Sequence, residues 1–368
     1  MNNKVRHVLG ISGGKDSAAL AIYMKHNYPL LDVEYYFCDT GKELADTYNL
    51  ITNLESYLGK KIIKLEAAID SNKDPFDHFY NLFGGYLPSP TARWCTKKLK
   101  IEPFEKFVGD DPVISYVGIR GDEDREGYIS TKPNIQSIFP FRQNIWSVDI
   151  VTKVLANSNI SFLLEEYKQR INESRLSRFI SVVEEPIGVD FSKEQKLKAL
   201  LNLDTVKFNQ ITFKFLKNTS YPLSVADDFP LLSNEDVLGL EDIVGLLRET
   251  VGMPSYYTKL PFQTETESGM YARSRSGCYF CFFQQRIEWI WLYEQHPDLF
   301  EMAMKYENEK EGFTWNQHES LADLIQPLRL NQIKSEYLKR SLNEKPKSNK
   351  LLDIIPKLDD EGCTACFT

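Results

Sequence analysis

The sequence predicts an α/β protein on a mostly parallel, doubly wound sheet, followed by a helical insertion and a cysteine-containing C-terminal region. Three observations predict it. Residues 1–155 alternate short apolar runs with amphipathic segments, the signature of a sheet covered on both faces. A glycine-rich turn joins the first apolar run to the first amphipathic segment. Beyond residue 156 the short apolar runs give way to long charged amphipathic stretches.

Val8, Leu9 and Ile11 form the first strand, and Ala18, Ala19, Leu20, Ile22, Tyr23 and Met24 the apolar part of the helix after it. Residues 33–38 read as the second strand. Leu44, Tyr48, Ile51, Leu54 and Leu58 recur at helical spacing, and Gly59 suits the position just past the helix end. Residues 61–65 and the β-branched run 113–119 are further strands, and Ser147 caps a helix through Asp149 to Leu155. The boundaries expected are 1–155 for the α/β unit, 156–268 for the helical insertion and 269–368 for the C-terminal region. Within the insertion, 162–183, 192–203 and 234–251 read as helices. Residues 287–293 and 299–306 follow in the C-terminal region, broken at Pro297, and the polar stretch 339–350 reads as a linker to a short tail.

The chain has 368 residues and a net charge of −8, so bulk field does not make it a polyanion binder. Nucleic-acid contact needs a local patch; the candidates are Arg93, Lys97, Lys98 and Lys100, then Arg273 with Arg275, then 339–350. No run of about 18 apolar residues suggests a membrane span, and no signal-peptide core precedes the first strand. The expectation is a cytoplasmic protein with no membrane partner.

The turn after the first strand is Ser12-Gly13-Gly14-Lys15-Asp16-Ser17. Read as strand, turn and helix N-terminus, it cradles an anion: unpaired backbone N–H groups and the positive helix end converge on one point. Gly13 and Gly14 let the backbone approach a phosphate closely, Lys15 adds charge, and Ser12 and Ser17 add hydroxyls. It is not a Walker A loop, since position 9 is Leu and Asp16 follows the lysine; nor do its glycines match the dinucleotide fingerprint. Three further segments follow. Asp39-Thr40-Gly41-Lys42-Glu43 lies at the second strand's end and suits Mg²⁺ or ribose contacts. Arg93 to Lys100 encloses Cys95. Gly118-Ile119-Arg120-Gly121 lies at another strand end, where Arg120 is placed either to clamp a phosphate or to pair with a neighbouring acid.

In this order the four segments resemble the phosphoadenosine phosphosulfate (PAPS) reductase-like branch of the PP-loop ATP pyrophosphatase superfamily, over residues 8–150 and again at Arg275-Ser276-Gly277-Cys278-Tyr279-Phe280-Cys281. The resemblance implies an adenine nucleotide α-hydrolase-like fold and cleavage of ATP·Mg²⁺ between the α- and β-phosphates. Ser12 to Ser17, Asp39, Thr40, Gly41, Gly118 and Arg120 would then bind nucleotide, and Lys15, Asp16, Arg120 and Cys95 would take catalytic roles. Sulfonucleotide reductases of the branch usually have a degenerate loop at the Lys and Asp, and carry a C-terminal Glu-Cys-Gly-x-His-like segment. Here Lys15 and Asp16 are intact, and Gly362-Cys363-Thr364-Ala365-Cys366 lacks that order. The closest character is therefore the ATP-pyrophosphatase/iron–sulfur component of DNA phosphorothioation systems, which act in phage defence.

The six cysteines include two Cys-x-x-Cys pairs, Cys278/Cys281 and Cys363/Cys366. Four thiolates suit zinc or a [4Fe–4S] cluster, and spacing does not choose between them; the resemblance tilts toward iron–sulfur. Cys95 with Cys278 and Cys281 is an alternative ligand set. Cys95 is also a candidate persulfide carrier, activated by Arg93, Lys97 and Lys98. Cys38 reads as a core residue. The expected reaction is adenylation of an acceptor, DNA or RNA included, followed by sulfur transfer, with a cysteine desulfurase as a candidate donor. The alternatives are a sulfonucleotide reductase using Cys363 or Cys366, and a nucleotide-binding scaffold with structural zinc in a defence complex.

Overall fold

A computed structural model describes residues 5–123, 125, 130–308, 311–316 and 319–343. Five strands, β1 (Arg6–Gly10), β2 (Val33–Asp39), β3 (Ile62–Glu66), β4 (Val113–Tyr116) and β5 (Ile135–Ile138), form an all-parallel sheet in the order β3-β2-β1-β4-β5. The chain winds outward in both directions from β1. The switch of direction therefore falls between β1 and β4, and their carboxyl ends open the crevice where such sheets bind ligands.

Helices cover both faces. On one lie α1 (Lys15–Asn27) and α2 (Ala45–Leu58), the latter ending on Gly59 in the left-handed conformation at φ 66°. Helix α1 buries every residue from Ser17 to Met24, as a helix enclosed on all sides must. The other face is closed by Phe104 and Val108, which pack on Val8, Tyr36, Val113 and Ile135. These two residues come from a helical run of three parts: α4 (Trp94–Thr96), a π-helical turn over Lys97–Ile101 and α5 (Glu102–Val108). After α3 (Pro75–Leu82), capped by Asp74, that run turns the basic segment toward the strand ends.

Next come α6 (Val148–Val154), α7 (Ile160–Arg170), α8 (Glu173–Glu184), α9 (Lys193–Leu216) and α10 (Leu240–Glu249). Their apolar faces share one core with α1 and α2, and α10 packs on α1. A hairpin of β6 (Leu260–Gln263) and β7 (Ser268–Tyr271) then leads to α11 (Arg286–Gln295), α12 (Pro297–Met304), α13 (Leu321–Leu324) and α14 (Pro327–Asn343). This region has its own core, centred on Phe76, Phe280, Trp289 and Trp315.

Several elements differ from expectation. Strand β4 stops at Tyr116 rather than 119, because at Gly118 the chain passes against the backbone of α1. β5 was unforeseen: half of it is polar, and Gln136 is hidden because its Oε1 accepts from the Leu223 amide at 3.0 Å. The run 162–183 divides into α7 and α8. Helix α9 starts at the Ser192 capping box and runs on past Leu203 through an extended Asp204. Helix α10 is shorter than 234–251, because Asn234 is drawn into the core: its Nδ2 donates to the Pro140 carbonyl at 2.7 Å and its Oδ1 accepts from Tyr23. The break at Pro297 stands as expected. Helix α14 occupies the start of the stretch read as a linker. The rest of that stretch, with Cys363 and Cys366, lies outside the described residues.

Candidate active site

The Ser12–Ser17 loop follows β1 directly and is closed by short-range hydrogen bonds. The Ser12 amide donates to Ser17 Oγ and the Gly14 amide to Ser12 Oγ, both at 3.1 Å. Gly13 has φ +77°, and a Cβ there would sit 2.2 Å from Thr47 Cγ2, so its backbone and its neighbour both require glycine. The Cβ of an alanine at Gly118 would lie 3.0 Å from the Asp16 carbonyl, so β4's exit and the start of α1 are in close contact. Lys15, 8% exposed, lies with Nζ 3.4 Å from Asp16 and 5.3 Å over the Tyr257 ring.

Arg120 is buried, not a surface residue. Its guanidinium pairs with Asp16 and Glu123 at 2.8 Å each and with Asp122 at 2.9 Å. Burial pushes the Asp16 carboxyl up, but Lys15 and Arg120 outweigh it and hold the group below the usual carboxylate range. Arg120 thus fixes the acid that follows Lys15, and it does not line the cleft described next. Asp39 is similarly engaged. It receives Lys64 Nζ at 2.7 Å, the Gly41 amide at 2.8 Å and the Tyr48 hydroxyl at 2.9 Å. Glu43 beside it is half-buried, and desolvation together with the Asp39 charge raises its pKa to about 7. Thr40 faces the cleft; Asp39, Gly41 and Gly118 build its supporting turns.

The cleft, counted with the solvent space at its open mouth, spans about 1100 Å³. Its floor is the Ser12–Ser17 loop, and its far wall is the segment 255–283, distant in sequence. Tyr256 donates its hydroxyl to the Gly13 carbonyl at 2.7 Å. The Lys15 amide donates to Tyr257 Oη at 3.3 Å. Lys15 Nζ donates to the Ser274 carbonyl at 3.5 Å. The Tyr279 amide donates to the Lys42 carbonyl at 2.9 Å, beside a bridge between Glu43 and Cys278. Lys42 in turn is held by Asp74 and Asp77 at 2.7 and 3.0 Å.

Cys95, Cys278 and Cys281 all line this cleft, and none is in a disulfide. Cys278 Sγ is 3.2 Å from Thr40 Oγ1, and burial, then the Glu43 charge, push its thiol up. Cys38, expected in the core, is part-buried against it, and burial likewise raises its thiol to about 12. Among the described residues no three His, Cys, Asp or Glu side chains are placed to hold a metal ion.

The first two basic patches are partly spent inside the protein, and most of 339–350 lies outside the described residues. Lys98 pairs with Glu102 at 2.8 Å, Lys100 points into the cleft, and Arg273 is 2% exposed, under Trp291 and donating to the Cys278 carbonyl at 3.2 Å. Sequence reading missed Tyr256, Tyr257, Lys100 as a cleft residue, and Arg125. The tyrosines belong to no spaced motif, and only the fold brings them across more than 240 residues to the loop. Among the described residues no helix is long and apolar enough to cross a membrane.

Residues 6–142 match the family model of the phosphoadenosine phosphosulfate reductase domain. An uncharacterized protein of Methanocaldococcus jannaschii is 30% identical over 154 residues, 38% of this chain and 30% of that protein. A tRNA-specific 2-thiouridylase of Actinobacillus pleuropneumoniae is 27% identical over 129 residues, 32% of this chain and 31% of that protein. An uncharacterized nin region protein of Escherichia phage lambda is 27% identical over 156 residues, 35% of this chain and 52% of that protein. The chain thus spans about a third to a half of the length of these relatives.

Proposed function

We propose that this chain, whose α/β unit belongs to the PP-loop ATP pyrophosphatase superfamily in its PAPS reductase-like branch, splits ATP between the α- and β-phosphates to adenylate an acceptor that then receives sulfur. The observation that carries the reading is the convergence of a phosphate-type loop, a buried Lys15 and three thiols on one cleft.

An acceptor oxygen attacks the α-phosphorus, and the bond to the bridging oxygen breaks with pyrophosphate as leaving group. The loop amides and Lys15 stabilise the charge that develops on it. Arg120 acts indirectly, by fixing Asp16 and so the first turn of α1. Because Asp16, Glu123 and Asp39 are committed to cations within the protein, Mg²⁺ would arrive on the nucleotide's own phosphates, as it commonly does. A sulfur nucleophile then displaces AMP. Cys95, which lines the cleft, would carry it as a persulfide received from a donor such as a cysteine desulfurase, and a second thiol would then cleave the S–S bond, leaving the sulfur on the acceptor and a disulfide on the protein.

Cys278 and Cys281 with the Cys363/Cys366 pair would be the soft donor set for an iron–sulfur cluster, and zinc is the alternative; Cys95 lines the same cleft but is not placed with Cys278 and Cys281 as a third ligand. When bound, such a cluster supplies a thiophilic site beside the nucleotide. The acceptor class favoured is nucleic acid, as in DNA phosphorothioation and tRNA thiolation. With a chain of net charge −8, a partner protein would supply the basic surface.

The test is the visible spectrum with iron, sulfide and zinc content of anaerobically purified protein, repeated on Cys278→Ala and Cys363→Ala. Iron and labile sulfide lost in both variants support a cluster held by both pairs. Loss in Cys278→Ala alone moves the ligand set to Cys95. Zinc without iron removes the cluster and leaves ATP cleavage with other acceptor chemistry.

A further inference from the structure

Arg120 at the end of β4 is the arginine that the motif order offers as a phosphate clamp, yet three carboxylates consume its charge and it does not line the cleft. The cleft wall nevertheless carries four cations, Lys15, Lys100, Arg125 and Arg275, against two carboxylates, Asp16 and Glu123. A cationic cleft in a protein of net charge −8 marks an anionic ligand. Lys15 is partly offset by Asp16 at 3.4 Å, and Arg125 is paired to Glu123 at 2.8 Å.

Arg275 differs. It lies over an aromatic face, its guanidinium carbon 5.8 Å from the centroid of Phe283, the ring that Arg93 approaches to 5.0 Å. No carboxylate lies within ion-pair distance of Arg275 among the described residues. An arginine stacked on a ring keeps its planar fork directed and available for bidentate phosphate contacts. The backbone fixes its place. The next residue, Ser276, packs so closely on the phosphate loop that a Cβ at Gly14 would lie 2.8 Å from Ser276 Oγ, and the preceding residue, Ser274, accepts from Lys15 Nζ. The Ser274 amide and hydroxyl are both anchored on Glu288, at 2.6 and 2.9 Å, which ties this segment to α11.

We propose that Arg275 is a catalytic residue that contacts the phosphate chain of the bound nucleotide, so that the site is complete only when the 274–276 segment stands against the Ser12–Ser17 loop. This rests on the reading of the cleft as an ATP site. Arg275 neutralises charge on the departing pyrophosphate, while Arg120 remains a positioning residue.

The experiment is calorimetric titration of the full-length protein with ATP and, separately, inorganic pyrophosphate, on wild type, Lys15→Ala, Arg275→Ala and Arg275→Lys. Each variant is checked for fold by circular dichroism, and Arg275→Gln replaces any alanine variant that does not fold. The expected result is binding by wild type, and a ten- to hundredfold weakening for both ligands in Arg275→Ala. Arg275→Lys should recover part of the loss, and added guanidinium ion at millimolar concentration should restore Arg275→Ala, which a packing defect would not allow. Wild-type binding that Lys15→Ala weakens and Arg275→Ala leaves unchanged overturns the role of Arg275 and spares the ATP reading. Absence of ATP and pyrophosphate binding in wild type overturns both.

Discussion

The two walls of the cleft are built by different means. The Ser12–Ser17 loop is closed by its own hydroxyls, across five residues or fewer. The 255–283 segment has little regular structure and holds its place by long-range contacts: Tyr256 on Gly13, Tyr257 on Lys15, and Ser255 on Asp46. A locally closed loop keeps its shape by chain geometry. A wall held by remote contacts keeps its shape only while a second core, around Phe280 and Trp315, stays packed behind it. The phosphate loop can therefore be formed while the site is incomplete.

The largest effect expected is at the floor. Lys15→Ala should lower pyrophosphate formation about 10²- to 10³-fold, the usual consequence of deleting one positioned donor, with the circular dichroism unchanged. A fall in activity matched by a loss of helix signal would show instead that Lys15 holds the loop together. Asp16→Asn comes next. It strips one of three carboxylate partners from a buried arginine and should cost about 1.5–3 kcal/mol in denaturant unfolding. The folded Asp16 pKa lies below its ordinary 3.8, so its contribution is complete above that pH and disappears as pH falls through the folded value. The stability gap between wild type and Asp16→Asn should accordingly narrow on acidification below about pH 4, and a gap that stays constant there would contradict the ion-pair account.

How much of this was legible follows the same division. Six consecutive residues announce the phosphate loop because its chemistry is local, and the apolar alternation announces the sheet because each buried strand must be apolar. Strand β5 was hidden since half of it is polar, and only the fold buries Gln136 and Ser137 and brings the Leu223 amide to Gln136 Oε1. The helix over 94–108 was hidden by a π-turn and by Pro103. Arg120 and Asp39 were visible as charged residues at strand ends, but their partners Asp122, Glu123 and Lys64 decide what those charges do, and pairing is a property of the fold. The tyrosines of the far wall carry no spacing signal at all.

A smaller effect sharpens the contrast at Gly13. Gly13→Ala should lose about 2–3 kcal/mol, from left-handed backbone strain and the contact with Thr47. Adding Thr47→Ser should recover the contact part alone, while full recovery would show that the backbone tolerates the side chain. The smallest effect is at the join: Tyr256→Phe removes one buried hydrogen bond to the loop and should cost about 1 kcal/mol. It should weaken ATP binding more than it lowers the melting temperature, since the bond aligns the two walls. A melting loss with unaltered ATP affinity would make Tyr256 a core residue only.

The central claim is tested most directly by the products formed from ATP. The full-length protein is incubated with Mg²⁺, ATP labelled at the α-phosphate and nucleic acid as acceptor, with Lys15→Ala as the control, and the labelled species are resolved. AMP, or an AMP-linked acceptor, appearing with equimolar pyrophosphate and absent from the control is the result predicted. Labelled ADP with inorganic phosphate would place the cut between the β- and γ-phosphates and contradict the account.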